Sequence, residues 1–585
     1  MTRQIKFDLT CLHDHQLISH LDYYFAKTMS DAFDEDGPMV LVACALVSKA
    51  LADGHICLDL KKAAGSSLTN LEQEVFLTLP SFGEWEKTLA ESSMVGQKLA
   101  DTGLTNSGDS EEPGPERNFP LVLDWSGNLY LSRYFDLQKR LVNNISCRIA
   151  ASPLPMDEAF ADRHLDILFS GQNLQQAEKQ KEAIKRALLH DFVVISGGPG
   201  TGKTYITTRI KALLDQYAES CGAPLPRILS VAPTGKAASR LKDGRTIHSV
   251  LKPLKGRTGF LHNKDHPLRA DVVIIDEASM IDIALMTRLL EAIPLESKVI
   301  LLGDKNQLSP VQAGAVFTDL CRVKGLGSRL VFLEYNFRSR GRTGIENLAH
   351  AINQNDVRTM ETILCGTQYP DIGFVDTGKG VGLDQIIEDY ILQGYAPLMG
   401  KNCLEDGLEI LDRFRILCAH NKGESGTLQI NHICEKILRS HANFDIIGQF
   451  FKKIVMIRTN DYHRGLFNGD TGIVHEDNKV IKAGFKDSGG CIRQYRYLDL
   501  PAHDTAFAVT IHKSQGSEFD SVLIIIPEKL SPVITRQLLY TGVTRARKKA
   551  TIVGSLDVIK EAMTLTLGHT SNVTALLEDK LCRNK

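Results

Sequence analysis

The sequence predicts an α/β protein built on two parallel sheets covered by helices, with a small β-barrel inserted in the second and a small, mainly helical N-terminal domain. Three observations carry this reading. Short β-branched runs at residues 192–196, 228–232, 272–275 and 299–302 are each followed by a glycine or small polar residue and an amphipathic stretch, the alternation that lays helices over a parallel sheet. A second set of such runs lies at 415–418, 521–526 and 550–553. Between them, residues 447–500 carry short strand-like runs (455–457, 471–474, 493–498) with turn signals and no helical period. At 585 residues the chain is too long for one core, and its 43% hydrophobic content can fill several.

From the N-terminus, residues 39–51 are apolar on nearly all sides and suit a buried helix, and 55–60 alternate like a short strand. Residues 92–120 are rich in Gly, Ser, Pro and acid and read as a linker or long surface loop. Residues 120–131 read as a hairpin turning at Ser126, Gly127 and Asn128, and 135–149 as a helix. The expected domains are therefore 1–118, 119–335 with the hairpin leading it, 336–446 continued by 501–585, and the insertion 447–500. No stretch is apolar enough to cross a bilayer, and the opening residues lack the apolar run of a signal peptide, so a cytoplasmic protein with no membrane association is expected. The twelve cysteines form neither a CxxC pair nor a Cys/His cluster at zinc spacing and read as reduced thiols. A net charge of −2 excludes a positively coated surface, but a strand held in a narrow groove needs only a local basic lining.

Gly197, Gly198, Pro199, Gly200, Thr201, Gly202, Lys203 and Thr204 satisfy GxxxxGK[ST] directly after an apolar strand and before a helical segment. Glycines let backbone N–H groups curl around phosphates, and the helix N-terminus adds partial positive charge. Lys203 is then placed for the β and γ phosphates of a nucleotide, and the Thr204 hydroxyl for Mg²⁺. A plain Gly-rich turn is the alternative, and the strand and helix flanks oppose it. Asp276 and Glu277 end an apolar strand, where parallel sheets bind ligands. Asp276 suits Mg²⁺ and Glu277 suits proton abstraction from an attacking water. Alone, the pair would serve equally as helix caps. Gln307 follows the next apolar run, and its amide can both donate to a phosphate oxygen and accept from water.

The ordered series GGPGTGKT, VAPTGKAA, VVIIDEAS, LLGDKNQL, VTIHKSQGSEFD and YTGVTRAR, spanning residues 180–547, resembles the motif set of superfamily 1 DNA helicases. That resemblance implies two RecA-like P-loop NTPase motor domains, an SH3-like barrel insertion, and ATP with Mg²⁺ as cofactors. It also implies roles that spacing does not reveal. Gln180 matches the glutamine that reads the adenine edge. Arg338 and Arg545 match the arginines that the second motor domain extends to the γ-phosphate, where a planar, permanently charged fork suits phosphate oxygens; Arg340, Arg342 and Arg547 are the nearby alternatives. Thr234, Lys236 and His248 match first-domain contacts to single-stranded DNA, and Thr510, His512, Lys513 and Ser514 match the second-domain contacts. Asn468 lies in the insertion segment of the same resemblance. His248 and His512 also suit histidines packed beside a sheet.

The Thr-Ile-His segments and the insertion are similar to superfamily 1B, which implies 5′-to-3′ movement. The N-terminal stretches GHICL and NLYLSR resemble the RecD family, the alpha subunits of exodeoxyribonuclease V. In that family the partners are RecB-like and RecC-like subunits in a heterotrimer that unwinds and degrades double-stranded DNA ends in recombinational repair. The nuclease site is then expected on a partner. A stand-alone RecD2-like helicase and an ATP-switched scaffold on DNA ends are the competing readings. The first usually carries a longer N-terminal extension, and the second would tolerate loss of Lys203 or Glu277.

Overall fold

Six parallel strands make the first sheet, in the order Arg245–Thr246, Ile228–Ala232, Val272–Ile275, Lys298–Gly303, Phe192–Gly197, Leu330–Leu333. The computed structural model describes residues 3–70, 73–98, 119–151, 156–171, 173–254, 256, 258–337, 343–379, 382–400, 403–441, 452–461, 463–487, 490–566 and 568–583. The pleat sends alternate side chains to opposite faces. Phe192, Val194, Val273, Ile275, Val299 and Leu301 enter one core, whereas Val193, Ile195, Val272, Ile274, Ile300 and Leu302 enter another. Both faces are apolar, which explains the unbroken β-branched runs.

The second sheet is also fully parallel, ordered Ile372–Asp376, Ala546–Gly554, Phe519–Ile525, Phe414–Cys418, Ala508–Thr510. Inserted before its last-added strands is an antiparallel sheet ordered Ile492–Arg496, Val480–Lys486, Thr471–Asp477, Lys453–Ile457, His503–Thr505. It has its own small core of Val455, Ile457, Leu466, Val474, Ala483 and Phe485. Its fifth strand, His503–Thr505, lies past the boundary expected at 500 and leads straight back into the second sheet.

The N-terminal region is dominated by helices, chiefly His20–Phe33, Pro38–Ala52 and Phe82–Glu91, as expected. The apolar segment at 39–51 lies in the second of these, with Val40, Val42, Ala43, Cys44, Ala45, Leu46 and Val47 all buried. Two small sheets brace the helices. The hairpin strands Leu121–Asp124 and Asn128–Leu131 pair with Val95–Lys98 and Leu58–Asp59. They therefore belong to the upstream sheet and do not lead the first motor domain.

The C-terminus also differs from expectation. The helix Leu556–Thr564 packs in the second core, but Val573–Arg583 buries Val573, Leu577 and Leu581 in the core of the first sheet. Spacing of four places these three on one face, and that face finds its apolar partners, such as Leu320, Val323 and Leu326, on the first domain. The connecting segment is tied down by Asn572, whose N–H donates to Gln138 (3.1 Å) and whose amide donates to Asp124 (3.1 Å), and by Ser571 donating to Asp319 (2.6 Å). All twelve cysteines are free. Among the described residues, no helix is long and apolar enough to cross a membrane.

Candidate active site

The strand Phe192–Gly197 runs into the glycine loop, and the helix Lys203–Ser220 leaves it. Gly200 (φ 82°) and Gly202 (φ 90°) take left-handed backbone that favours glycine. A Cβ at these two positions would collide with Asn336 Oδ1 and Gln180 Nε2, respectively. Thr201 Oγ1 donates to Gly198 O at 2.8 Å, and Lys203 Nζ folds over the loop, donating to Gly197 O at 2.5 Å and Gly198 O at 3.1 Å. Gln180 is buried and donates its amide to Thr201 O at 2.9 Å, bracing the loop. Thr204 is exposed in the first helical turn.

Asp276 and Glu277 follow the strand Val272–Ile275 beside this loop. Glu277 adopts φ 50°, a left-handed backbone rare for a side chain of this size, and its N–H donates to Asp276 Oδ1 at 2.9 Å. Burial and the Glu277 charge push the Asp276 carboxyl upward, with Lys203 opposing. A carboxylate so placed is favoured as an anion when a cation joins it, so Asp276 with the exposed Thr204 hydroxyl fits Mg²⁺ chemistry. Gln307 is buried and donates Nε2 to Asp304 Oδ2 at 3.1 Å.

The second domain closes over this wall. Arg545 is buried, with Nε donating to Thr541 O (3.1 Å) and Nη1 to Ser517 O (3.1 Å). Burial pulls its guanidinium downward, while the nearby charges of Glu277, Glu518 and Asp304 raise it. Among the described residues, Glu277 Oε2, Gln307 Oε1 and Arg545 Nη2 are buried without a hydrogen-bond partner. Such orphans mark places where function overrides satisfaction of polar groups. A cleft of about 790 Å³ runs between Gly197, Pro199 and Asp304 on one side and Tyr540, Thr544 and Arg547 on the other. Arg338 lies outside the described residues. Just upstream, Phe337 N donates to Gly200 O at 3.0 Å.

Sequence analysis singled out neither Asp304 nor Tyr540, although each sits inside a quoted motif. Tyr540 Oη donates to Asp304 Oδ2 across the cleft at 3.0 Å. Two further bonds cross the same junction: Leu308 N to Thr541 Oγ1 (3.0 Å) and Gln515 Nε2 to Leu308 O (3.2 Å).

Of the residues matched to DNA contacts, Thr234 and Lys236 lie where the first domain meets the second, and Phe467, next to Asn468 of the insertion, packs on the same turn. Thr234 Oγ1 caps the short helix Gly235–Ala238, and a Cβ at Gly516 of the second domain would lie 3.6 Å from Ala237 and 3.7 Å from Thr234 Oγ1. Lys236 turns into this junction, 5.6 Å from the Phe519 ring centre. Burial and Arg415 pull its ammonium down to about 8 against the opposing Asp412 and Asp470. His248 is exposed with its ring edge-on to Phe260, and His512 is half-buried; desolvation lowers both. Thr510 and Ser514 are buried, with Thr510 Oγ1 accepting from Lys513 N (3.2 Å) and Ser514 Oγ donating to Ile511 O (2.7 Å), so both hydroxyls serve the turn. Lys513 is exposed and 3.6 Å from Asp504. Asn468 is exposed on the insertion loop whose Phe467 packs on Gly235. The adjoining cavity of about 480 Å³ is lined by charges of both signs, Arg245, Lys486 and Arg493 against Asp412, Asp470 and Asp487.

A phosphate-binding loop, a carboxylate pair and a buried arginine from an opposing sheet form the set that hydrolyses a nucleoside triphosphate and couples it to domain movement. Comparisons with known proteins agree. The family model for the RecBCD enzyme subunit RecD, N-terminal domain, matches residues 14–130; an AAA domain matches 180–313, and a UvrD-like helicase C-terminal domain matches 505–553. RecBCD enzyme subunit RecD of Mycolicibacterium smegmatis is 31% identical over 574 residues, covering 94% of this chain and 95% of that one. The RecBCD enzyme subunit RecD of Haemophilus influenzae is 26% identical, covering 97% and 99%. The ATP-dependent RecD2 DNA helicase of Deinococcus radiodurans is 30% identical over 456 residues, covering 76% of this chain but 58% of that one. The chain belongs to the family of the RecBCD enzyme subunit RecD.

Proposed function

We propose that this chain is an ATP-dependent DNA helicase, the 5′-to-3′ motor subunit of a RecBCD-type helicase–nuclease that processes double-stranded DNA ends in recombinational repair. The observation that carries the reading is Arg545, buried on the second sheet domain yet near enough to Glu277 and Asp304 of the first for their charges to act on its guanidinium. The parallel sheets act as RecA-like motor domains. The antiparallel insertion acts as an SH3-like module, and the N-terminal region, ending near 118 apart from the hairpin, docks on a RecC-like partner. RecB-like and RecC-like chains complete the heterotrimer, and the nuclease belongs to a partner. Its DNA substrate places the complex in the cytoplasm.

In the proposed cycle the glycine loop binds the phosphates of ATP through its N–H groups, and Lys203 leaves its loop carbonyls for the phosphate oxygens. Glu277 Oε2 accepts a proton from the attacking water, which Gln307 Oε1 helps to orient. Mg²⁺, held by Thr204 and Asp276, would neutralise charge on the phosphates. Arg545 binds the γ-phosphate and so makes domain closure depend on nucleotide. Thr234, Lys236, His248, Asn468, Thr510, His512, Lys513 and Ser514 would contact the backbone of single-stranded DNA, which permits stepping on any sequence.

The test is translocation on single strands blocked at the 5′ or the 3′ end, with and without RecB-like and RecC-like chains. The reading expects ATP-dependent displacement of a block at the 3′ end only. Displacement from the 5′ end, or none under either condition, would refute the motor assignment.

A further inference from the structure

Asp304 receives donors from both domains on a single oxygen. Its Oδ2 accepts Tyr540 Oη at 3.0 Å and Gln307 Nε2 at 3.1 Å, and its Oδ1 accepts Asn306 N at 3.0 Å. Asp304 is 2% exposed, Gln307 4% and Tyr540 5%, so these bonds are made away from solvent. A carboxylate only accepts hydrogen bonds, so it dictates which end of the Gln307 amide faces it. The NH₂ end is committed to Asp304, and Oε1, which has no partner among the described residues, is the end left as a free acceptor. The Tyr540 hydroxyl also stands directly over the phosphate loop, because a Cβ on Gly198 would lie 2.9 Å from it. Burial and the Asp304 charge keep this phenol protonated, so it stays a donor.

We propose that Tyr540 and Asp304 form a clasp that reports closure of the cleft to Gln307, making Tyr540 a positioning residue for ATP hydrolysis supplied by the second domain. With the domains closed, the phenol pins Asp304, and Asp304 holds Gln307 with its carbonyl oxygen presented as an acceptor for water. When the helix Arg536–Val543 withdraws, Asp304 loses its second-domain donor and Gln307 its fixed orientation. Hydrolysis is thereby restricted to the closed state even though Gln307, Glu277 and Lys203 all reside on one domain. The clasp rests on the ATPase reading given above and deepens it.

The experiment is steady-state ATPase of the full chain, with its partner chains where activity requires them, on saturating single-stranded DNA at varied ATP. The variants are Tyr540→Phe, Asp304→Asn and the double variant, with Lys203→Ala alongside. Tyr540→Phe removes one hydroxyl. Asp304→Asn removes the charge and puts an NH₂ donor on one side, where it must face either the Asn306 N–H or the Tyr540 and Gln307 donors. The clasp predicts that each lowers kcat about tenfold with KM for ATP within about twofold, and that the double variant is no slower than the slower single, because the two act as one unit. Binding of a fluorescent ADP analogue and the melting temperature, both close to wild type, identify variants that are folded; if Tyr540→Phe fails this check, Asp304→Asn alone must still show the kcat loss at unchanged KM. A wild-type kcat in a folded single variant, or losses that multiply in the double, would overturn the clasp. If Lys203→Ala keeps full ATPase, the fault lies in the active-site reading itself.

Discussion

Glu277, Gln307 and Arg545 each end in a buried polar atom that the protein leaves without a partner. An unpaired buried group of this kind costs about 1–3 kcal/mol, and Glu277 adds left-handed backbone at φ 50°. At these three residues, which lie in or beside the nucleotide-site motifs of both domains, such costs fit a site that awaits a group the protein itself does not supply. Motif spacing pointed to Glu277 and Gln307, and the family resemblance pointed to Arg545. Neither could show the Glu277 backbone or the Asp304 bond that fixes the Gln307 amide, since both depend on segments folded against one another. Away from the cleft, His190 illustrates a different residue-scale effect. Burial, then Arg329, Arg186 and Lys298, pull it from 6.5 down to about 4, while its ring meets Ser328 Oγ at 3.0 Å. The folded chain thus refuses a proton that the unfolded chain accepts between those two values. Stability should fall as pH drops from about 6.5 to about 4 and be insensitive to this group above that window. Denaturant unfolding across the range should show a shallower decline for His190→Gln than for wild type; equal slopes would exclude His190 as a contributor.

Among the strands of the two parallel sheets, those legible in the sequence and those that were not separate cleanly by position. The runs at 192–196, 228–232, 272–275, 299–302, 415–418, 521–526 and 550–553 all lie in strands with a neighbour on each side. Such strands of a helix-covered parallel sheet are apolar on both faces and print an unbroken run. The four that escaped, Arg245–Thr246, Leu330–Leu333, Ile372–Asp376 and Ala508–Thr510, are the edges of the two sheets. Arg245–Thr246 and Ile372–Asp376 contain no buried residue and Leu330–Leu333 only two, while Ala508–Thr510 is buried but three residues long; neither leaves a periodic signal. The hairpin at 120–131 was legible as a hairpin, but its pairing with Leu58–Asp59 was not, because pairing over such sequence distance leaves no local trace. The same holds for the helix Val573–Arg583, which returns to the first domain. Leu577 there is fully buried, so Leu577→Ala should lower stability by about 2–5 kcal/mol. Urea unfolding followed by a probe on the first sheet should register the loss. A change confined to the second domain would contradict the packing.

At the scale of the whole molecule, three segments of different origin converge on one junction: the Thr234–Gly235 turn of the first domain, Gly516 and Phe519 of the second, and Phe467 of the insertion. The cleft beside it is bridged by Tyr540 to Asp304, Thr541 to Leu308 and Gln515 to Leu308. Each bridge joins a motif of one sheet to a motif of the other, so the proposed nucleotide chemistry and the proposed DNA contacts share a single mechanical interface. In the proposed cycle Arg545 is the second-domain group that completes the chemistry of the first. The direct measurement is single-turnover ATP hydrolysis by Arg545→Ala on single-stranded DNA, with nucleotide affinity measured in parallel. Hydrolysis at least about 100-fold slower than wild type, with ATP still bound, is the predicted result; a wild-type rate would mean that the first domain hydrolyses ATP unaided and that the two sheets do not form one active site.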